Sequence, residues 1–478
     1  MKFIKVTFFL SLLLGLQAKA EVVLPRILGN QMVLQQEKPI VIWGTANVGE
    51  QVSVSFANES AQTVANENGH WKVVLNPLKA SFENRDMTIK GTNTIVLKNI
   101  LVGEVWLCSG QSNMEYTMRK NSKVDRKQAE GLSPSPIDEL FFAHHENIRL
   151  FLVNRKELIK PSPEHEGWDI AEGTALRNFS AVGYFFAKNL NQELKVPVGV
   201  ISSSIPGSKI EPWINEEDFA NSAYFKDKKV DGDHAKFYHS MIKPLIPFAI
   251  KGFLWYQGES NCFLQDRINY TYKMKTLIDG WRKDWGEELP FYYVQIAPYE
   301  YSSSQGEIKF NKYDLPEFWE AQTLALKIPR TGMAVITDLF DGGGGIHPGY
   351  KWEVGRRLAL QALDKTYGEH IVSDGPFYDK MKIKGDYIVL YFENAKDLKS
   401  RDGKPLDFFE LAGADGEYHP AKAEIKGKKV ILTSAQVKAP VNARFGWDEV
   451  AQPNLVNGAN LPANSFRTDN PIINQFNP

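Results

Sequence analysis

The stretch Gly103-Glu104-Val105-Trp106-Leu107-Cys108-Ser109-Gly110-Gln111-Ser112-Asn113-Met114-Glu115 decides the reading of this chain. Val105 to Cys108 is a short apolar run, the mark of a strand buried on both faces. A glycine and a serine follow it at a strand-to-helix turn. Glycine lets the backbone turn sharply and leaves the Ser112 hydroxyl exposed. The serine N–H then opens a helix, where developing negative charge is stabilised. Met114 stands where the Gly-x-Ser-x-Gly elbow needs its last glycine, so that motif is absent. A helix-capping serine would give the same tripeptide.

Similar runs recur downstream. Val198-Gly199-Val200-Ile201, Gly252 to Tyr256, Phe291 to Gln295 and Met333 to Ile336 are strand candidates. Val182, Phe185, Phe186, Leu190 and Leu194 fall on one face of a helix. Strands alternating with helices predict a mostly parallel sheet covered on both faces, with ligands at the C-terminal strand ends. This α/β region is expected over residues 101–370. Residues 119–145 are polar and read as a surface excursion.

The flanks differ. Over 21–100, Val52, Val54 and Phe56 alternate with polar residues, as do Trp71, Val73 and Leu75, and turn signals separate them. Short strands so spaced predict a β-sandwich. A β pattern returns over 375–478, where Ile388, Leu390 and Phe392 alternate. It is either a second small β-domain or a completion of the first. At the start, Lys2 and Lys5 precede the apolar run Phe8 to Leu16, and Ala18-Lys19-Ala20 supplies small residues at a cleavage site. Residues 1–20 therefore read as a signal peptide cut after Ala20, giving a secreted or periplasmic product. The run is too short for a membrane anchor.

The 478 residues are 43% hydrophobic and 24% charged, ample for a large core. Lys+Arg number 56 against Asp+Glu 57, a net charge of -1, which offers no electrostatic footprint for nucleic acid or an anionic membrane. Two cysteines, Cys108 and Cys262, exclude a disulfide framework. They either pair or stand as one buried and one partly exposed thiol. The 9 histidines are scattered, and neither His144-His145 nor Glu164-His165-Glu166 completes a metal-ligand set. No cofactor is expected.

Three further loops follow the later strands. In Ser202-Ser203-Ser204-Ile205-Pro206-Gly207-Ser208, Gly207 can aim a backbone N–H at an oxyanion. In Tyr256-Gln257-Gly258-Glu259-Ser260-Asn261, the Asn261 amide can do the same. In Gly342-Gly343-Gly344-Gly345-Ile346-His347-Pro348, His347 lies beside a helix expected to begin near Tyr350. A helix N-terminus disfavours imidazolium and suits a general base. Each loop also has an ordinary explanation as a turn or a cap. Four such loops in register with four strand ends make coincidence a poor account.

The first block, with Trp255-Tyr256-Gln257-Gly258-Glu259-Ser260-Asn261 and Ile346-His347-Pro348, closely resembles the sialate O-acetylesterases, carbohydrate esterases of the SGNH-hydrolase superfamily. Met32 to Gln35, Met241 to Leu245, Phe291 to Pro298 and Phe466 to Thr468 extend the likeness over nearly the whole mature chain. The resemblance implies a flavodoxin-like three-layer α/β/α domain and an esterase acting on O-acetylated carbohydrate. It implies Ser112 as nucleophile, His347 as base, and Ser112, Gly207 and Asn261 as the oxyanion hole. The superfamily usually carries an aspartate three residues before the histidine, where this chain has Gly344. The imidazole partner is then Asp341, or Asp338, or a backbone carbonyl in a Ser-His dyad. Acetylated plant glycan such as xylan or xyloglucan is an alternative substrate, and a weakly catalytic sugar-binding protein is an alternative function. Trp213 and Trp255 are candidates for sugar stacking, although Trp255, within an apolar strand, also reads as core.

Overall fold

The computed structural model describes residues 21–153, 167–230, 232–340 and 345–478. Its centre is a seven-stranded sheet of β1 (Thr94–Gly110), β2 (His144–Leu152), β3 (Trp168–Glu172), β4 (Val198–Ser204), β5 (Gly252–Tyr256), β6 (Phe291–Val294) and β7 (Thr331–Ala334). Across the sheet the order is β7-β6-β5-β1-β4-β2-β3. All neighbours are parallel except the antiparallel β2–β3 pair. Taken without that hairpin, the five strands read 2-1-3-4-5, the flavodoxin-like order. β4 and β5 flank β1 and leave it on opposite sides, so the switch point of the topology lies at the end of β1.

Side chains of β1 alternate between two cores, as a pleated strand dictates. Trp106 and Cys108 enter one core with Val200, Leu254, Tyr292 and Ala334. Val105 and Leu107 enter the other with Ile201, Phe253, Phe291 and Met333. The first face is covered by α2 (Ala181–Leu194) and α6 (Lys351–Lys365). The second is covered by α4 (Ile268–Trp285) and α5 (Asp314–Leu324). Two four-residue helices, α1 (Ser112–Glu115) and α3 (Glu259–Cys262), follow β1 and β5 directly. α2 and α6 cross closely at Gly355, where a Cβ would lie 2.7 Å from the Val182 carbonyl oxygen.

The 17-residue β1 runs through the boundary expected at residue 100. Its first half pairs with Ser81–Lys90 and Val33–Gln35, and Gln51–Phe56 and Glu59–Val64 extend that part of the sheet. Ile40–Thr45 and His70–Leu75 form a separate pair. The buried residues of these strands are continuous with the α4–α5 side of the central sheet.

The C-terminal strands join neither of these N-terminal sheets among the described residues. Phe377–Lys384, Tyr387–Glu393, Lys429–Thr433 and Lys422–Lys426 form one antiparallel sheet. Tyr418–Pro420, Phe409–Ala412, Asn442–Phe445 and Phe466–Arg467 form another. Ile388, Leu390, Val430 and Leu432 from the first face Leu411, Phe445 and Phe466 from the second in one core. This unit is tied to α5 by the Arg467 fork on Glu320 at 2.9 and 2.8 Å. The expected polar excursion 119–145 holds the turns Met118–Asn121 and Glu139–Phe142 and the start of β2.

Candidate active site

The loops after β1, β4 and β5 and the segment before α6 meet above the C-terminal end of the sheet. At the end of β1, Gly110 has φ +136, and a Cβ there would sit 2.2 Å from the Tyr256 carbonyl oxygen. Only glycine allows β1 and β5 to approach so closely at their tips. The Gln111 N–H donates to that same carbonyl at 3.0 Å, and Ser112 opens α1. The Ile205 N–H donates to the Gly110 carbonyl at 3.1 Å, which fixes the loop after β4.

Ser112 and His347, 235 residues apart, face each other with Oγ and Nε2 separated by 2.7 Å. Among the described residues no carboxylate is hydrogen-bonded to the imidazole. Burial is the main influence on the His347 proton and depresses its affinity, and Lys351 and Lys120 add to this. Glu115 works weakly the other way. The ring is therefore neutral at neutral pH, the form that accepts a proton from a hydroxyl. The rate is expected to fall on the acid side with a midpoint below the ordinary histidine value of about 6.5. A kcat/KM profile measured against pH checks this, and Lys351→Met is expected to move the midpoint upward by removing a repelling charge.

Gly207 has φ +70 and is exposed on the loop after β4, and its N–H meets no acceptor among the described residues. Its carbonyl accepts from the Ser260 hydroxyl at 3.1 Å, joining the β4 and β5 loops. Asn261 behaves differently from expectation. Both hydrogens of its amide are committed to buried carboxylates, with Nδ2 at 2.7 Å from Asp266 and at 3.2 and 3.3 Å from Glu211. Its Oδ1 accepts from the Ile210 N–H at 3.0 Å and from Gln257 at 2.7 Å. Lys273 binds both carboxylates at 2.6 Å. A fully satisfied amide, 0% exposed, has no hydrogen left for an oxyanion. Asn261 instead fastens the Gly207 loop to the β5 loop.

The two aspartates separate as well. Asp341 lies outside the described residues. Asp338 accepts the Arg357 fork at 2.6 and 2.7 Å, with both side chains buried, and Arg401 lies 3.4 Å away. Its carboxylate is spent on the guanidinium and makes no bond to His347, which corrects the Asp338 alternative. Removing the Asp338 charge leaves the buried Arg357 guanidinium with Glu353, at 2.8 Å, as its remaining anion. Asp338→Asn is expected to destabilise the fold by about 3 kcal/mol. Denaturant unfolding measures this, with kcat retained below the melting range.

Trp213 and Trp255 are corrected from stacking candidates to core. They are 0% and 1% exposed and meet edge to face at 6.1 Å. Cys108 and Cys262 are both free and both buried, so the partly exposed thiol is absent too. Burial raises the Cys108 thiol pKa, which keeps it an inert core group. Among the described residues no three His, Cys, Asp or Glu side chains are placed to hold a metal ion. His144 pairs instead with Glu172 and His145 with Glu139. No helix of the described residues is long and apolar enough to cross a membrane.

Asn113, Glu259 and Lys351 escaped the sequence reading. They form a buried polar cluster directly behind the Ser112–His347 contact. All three stand within or just after the blocks that carry Ser112, Asn261 and His347. Polar residues without an assigned task inside those blocks were the available signal.

Residues 102–363 match the family model described as carbohydrate esterase, sialic acid-specific acetylesterase. The chain is 31% identical over 429 residues to the sialate O-acetylesterase of Homo sapiens, covering 80% of this chain and 79% of that protein. It is 27% identical over 494 residues to the sialate O-acetylesterase of Rattus norvegicus, covering 87% and 88%. The crystal structure of a carbohydrate acetylesterase from Xanthomonas citri superposes with a TM-score of 0.82 at 33% identity, covering 94% of this chain and 99% of that one.

Proposed function

We propose a mechanism and a substrate on the premise that the chain belongs to the sialic acid-specific acetylesterase family of carbohydrate esterases, and so is a carboxylic ester hydrolase acting on O-acetylated carbohydrate. Ser112 Oγ attacks the acetyl carbonyl carbon while His347 Nε2 takes the hydroxyl proton. The tetrahedral oxyanion is received by the Ser112 and Gly207 N–H groups. The intermediate collapses when His347 returns the proton to the sugar oxygen, and the C–O bond to the sugar breaks. Water, deprotonated by His347, then attacks the acetyl-serine and releases acetate. Both half-reactions run on protons passed through one imidazole, so no cofactor enters.

The observation that carries this reading is the 2.7 Å approach of Ser112 Oγ to His347 Nε2. That distance is within direct proton-transfer reach. The names of the relatives support acetylated sialate as the sugar. Acetate release from a panel of acetylated sialosides, xylan and xyloglucan oligosaccharides tests the assignment. Sialosides are expected to be the better substrates, and a preference for the plant glycans would reassign the sugar. Asp341 is the remaining acid on the His347 loop and is assigned the imidazole's Nδ1. Export, with cleavage after Ala20, is supported by the basic and apolar pattern of residues 1–20, which lie outside the described residues.

A further inference from the structure

Asn113 follows the serine and reaches the residue before the histidine. Its Nδ2 donates one hydrogen to the Ile346 carbonyl at 2.9 Å and the other to Glu259 Oε1 at 2.5 Å. Its Oδ1 accepts from Lys351 Nζ at 2.6 Å. Asn113 and Lys351 are 0% exposed and Glu259 is 2% exposed. The three residues come from α1, α3 and the first position of α6, so one amide gathers the ends of three chain segments. Lys351 also lies 5.0 and 5.1 Å from the ring centres of Tyr116 and Tyr256.

The Ser112–His347 contact is thus doubled one residue along on each side, by Asn113 with Ile346. One hydrogen bond leaves an exposed loop free to swing about it. Two adjacent bonds fix both the distance and the angle. The geometry points to Asn113 as a positioning residue that sets the His347 imidazole against the Ser112 hydroxyl, by clamping the backbone on which the imidazole is carried. This rests on the Ser-His reading above. The clamp differs from a triad acid, which acts on the ring itself. It holds the backbone before the ring, at the Ile346 carbonyl. Glu259 and Lys351 fix the amide's orientation. An acceptor on Nδ2 and a donor on Oδ1 exclude the flipped rotamer, which would turn Oδ1 toward the Ile346 carbonyl.

Purified Asn113→Ala, assayed beside wild type, Ser112→Ala and His347→Ala on p-nitrophenyl acetate, tests this. A lost clamp is expected to lower kcat about 100-fold, as a misplacement near 1 Å does, with KM little changed. The acid-side midpoint should also move up toward the ordinary histidine value. A released imidazole regains water and leaves the field of Lys351 and Lys120, while losing the weaker pull of Glu115; Asp341, assigned above to Nδ1, stands six residues before the ring in the chain and is expected to move with it. Glu259 faces Asn113 rather than the ring. A purely structural asparagine would lower the melting temperature but leave the midpoint where it was. If Asn113→Ala does not fold, the combined Asn113→Leu, Glu259→Met, Lys351→Met variant removes the Glu259 and Lys351 charges together and carries the same kcat and KM comparison. Wild-type kcat in a folded Asn113 variant, with Ser112→Ala and His347→Ala inactive, overturns the clamp alone. Wild-type kcat in Ser112→Ala overturns the Ser-His reading instead.

Discussion

Ser112→Ala is expected to lower kcat on an acetyl ester by about a million-fold, and adding His347→Ala to it is expected to cost almost nothing more. In the proposed mechanism the two side chains act as one unit. The hydroxyl is a weak nucleophile until the imidazole 2.7 Å away removes its proton, and the imidazole has nothing to activate once the hydroxyl is gone. Independent contributions would multiply, whereas a shared proton makes them overlap. Residual hydrolysis in either variant should still exceed that in water, because the N–H groups of residues 112 and 207 proposed to receive the oxyanion remain. Binding should also survive. A folded Ser112→Ala protein that retains affinity for the acetylated sugar, read by calorimetry, separates lost chemistry from lost structure.

Asp341→Asn is expected to lower kcat by about four orders of magnitude while leaving stability nearly unchanged. The negative charge of an acid at Nδ1 stabilises the imidazolium that forms during each proton transfer and fixes the tautomer that presents a bare Nε2. An asparagine keeps the shape and loses the charge. The loss is expected to be larger than in a site without nearby cations, because Lys351 and Lys120 already disfavour the imidazolium. Asp338→Asn provides the contrast from the same segment. Its carboxylate is bound by Arg357, so its loss should appear in unfolding and not in turnover. The two neighbouring variants are thus expected to divide cleanly between rate and stability. Unchanged kcat in Asp341→Asn would leave Ser112 and His347 as a dyad, with the ring held through its backbone.

The central sheet was legible because β4, β5, β6 and the second half of β1 are buried on both faces and carry apolar runs, whereas β7 lies at Thr331–Ala334, two residues before the expected Met333 to Ile336. β2 was hidden for the same physical reason in reverse. Its first half, His144-His145-Glu146-Asn147, is polar, and it carries Arg149 at 1% exposure, with the guanidinium bonded to the Glu146 carbonyl, Gln31 and Asn99. Burial of this charge depends in part on Gln31 and Asn99, 118 and 50 residues away, which no local pattern displays. Ser112 and His347 were singled out by loop position together with the family resemblance of the blocks that carry them, and the ends of a parallel sheet do bring the two side chains together. Asn261 misled because a side-chain amide can face either way along its short helix. Only the buried Glu211, Asp266 and Lys273 decide that it faces inward. Asn113 was overlooked for a related reason. Its value lies in an acceptor 233 residues downstream.

The most direct test is to quench the enzyme during turnover of an acetylated sialoside and map the acetyl group by peptide mass spectrometry. The account predicts one acetyl group on the peptide containing Ser112, accumulating to a steady level and vanishing when substrate is exhausted. Acetate released at the full wild-type rate from a folded Ser112→Ala protein, with no acylated peptide in the wild type, would contradict it.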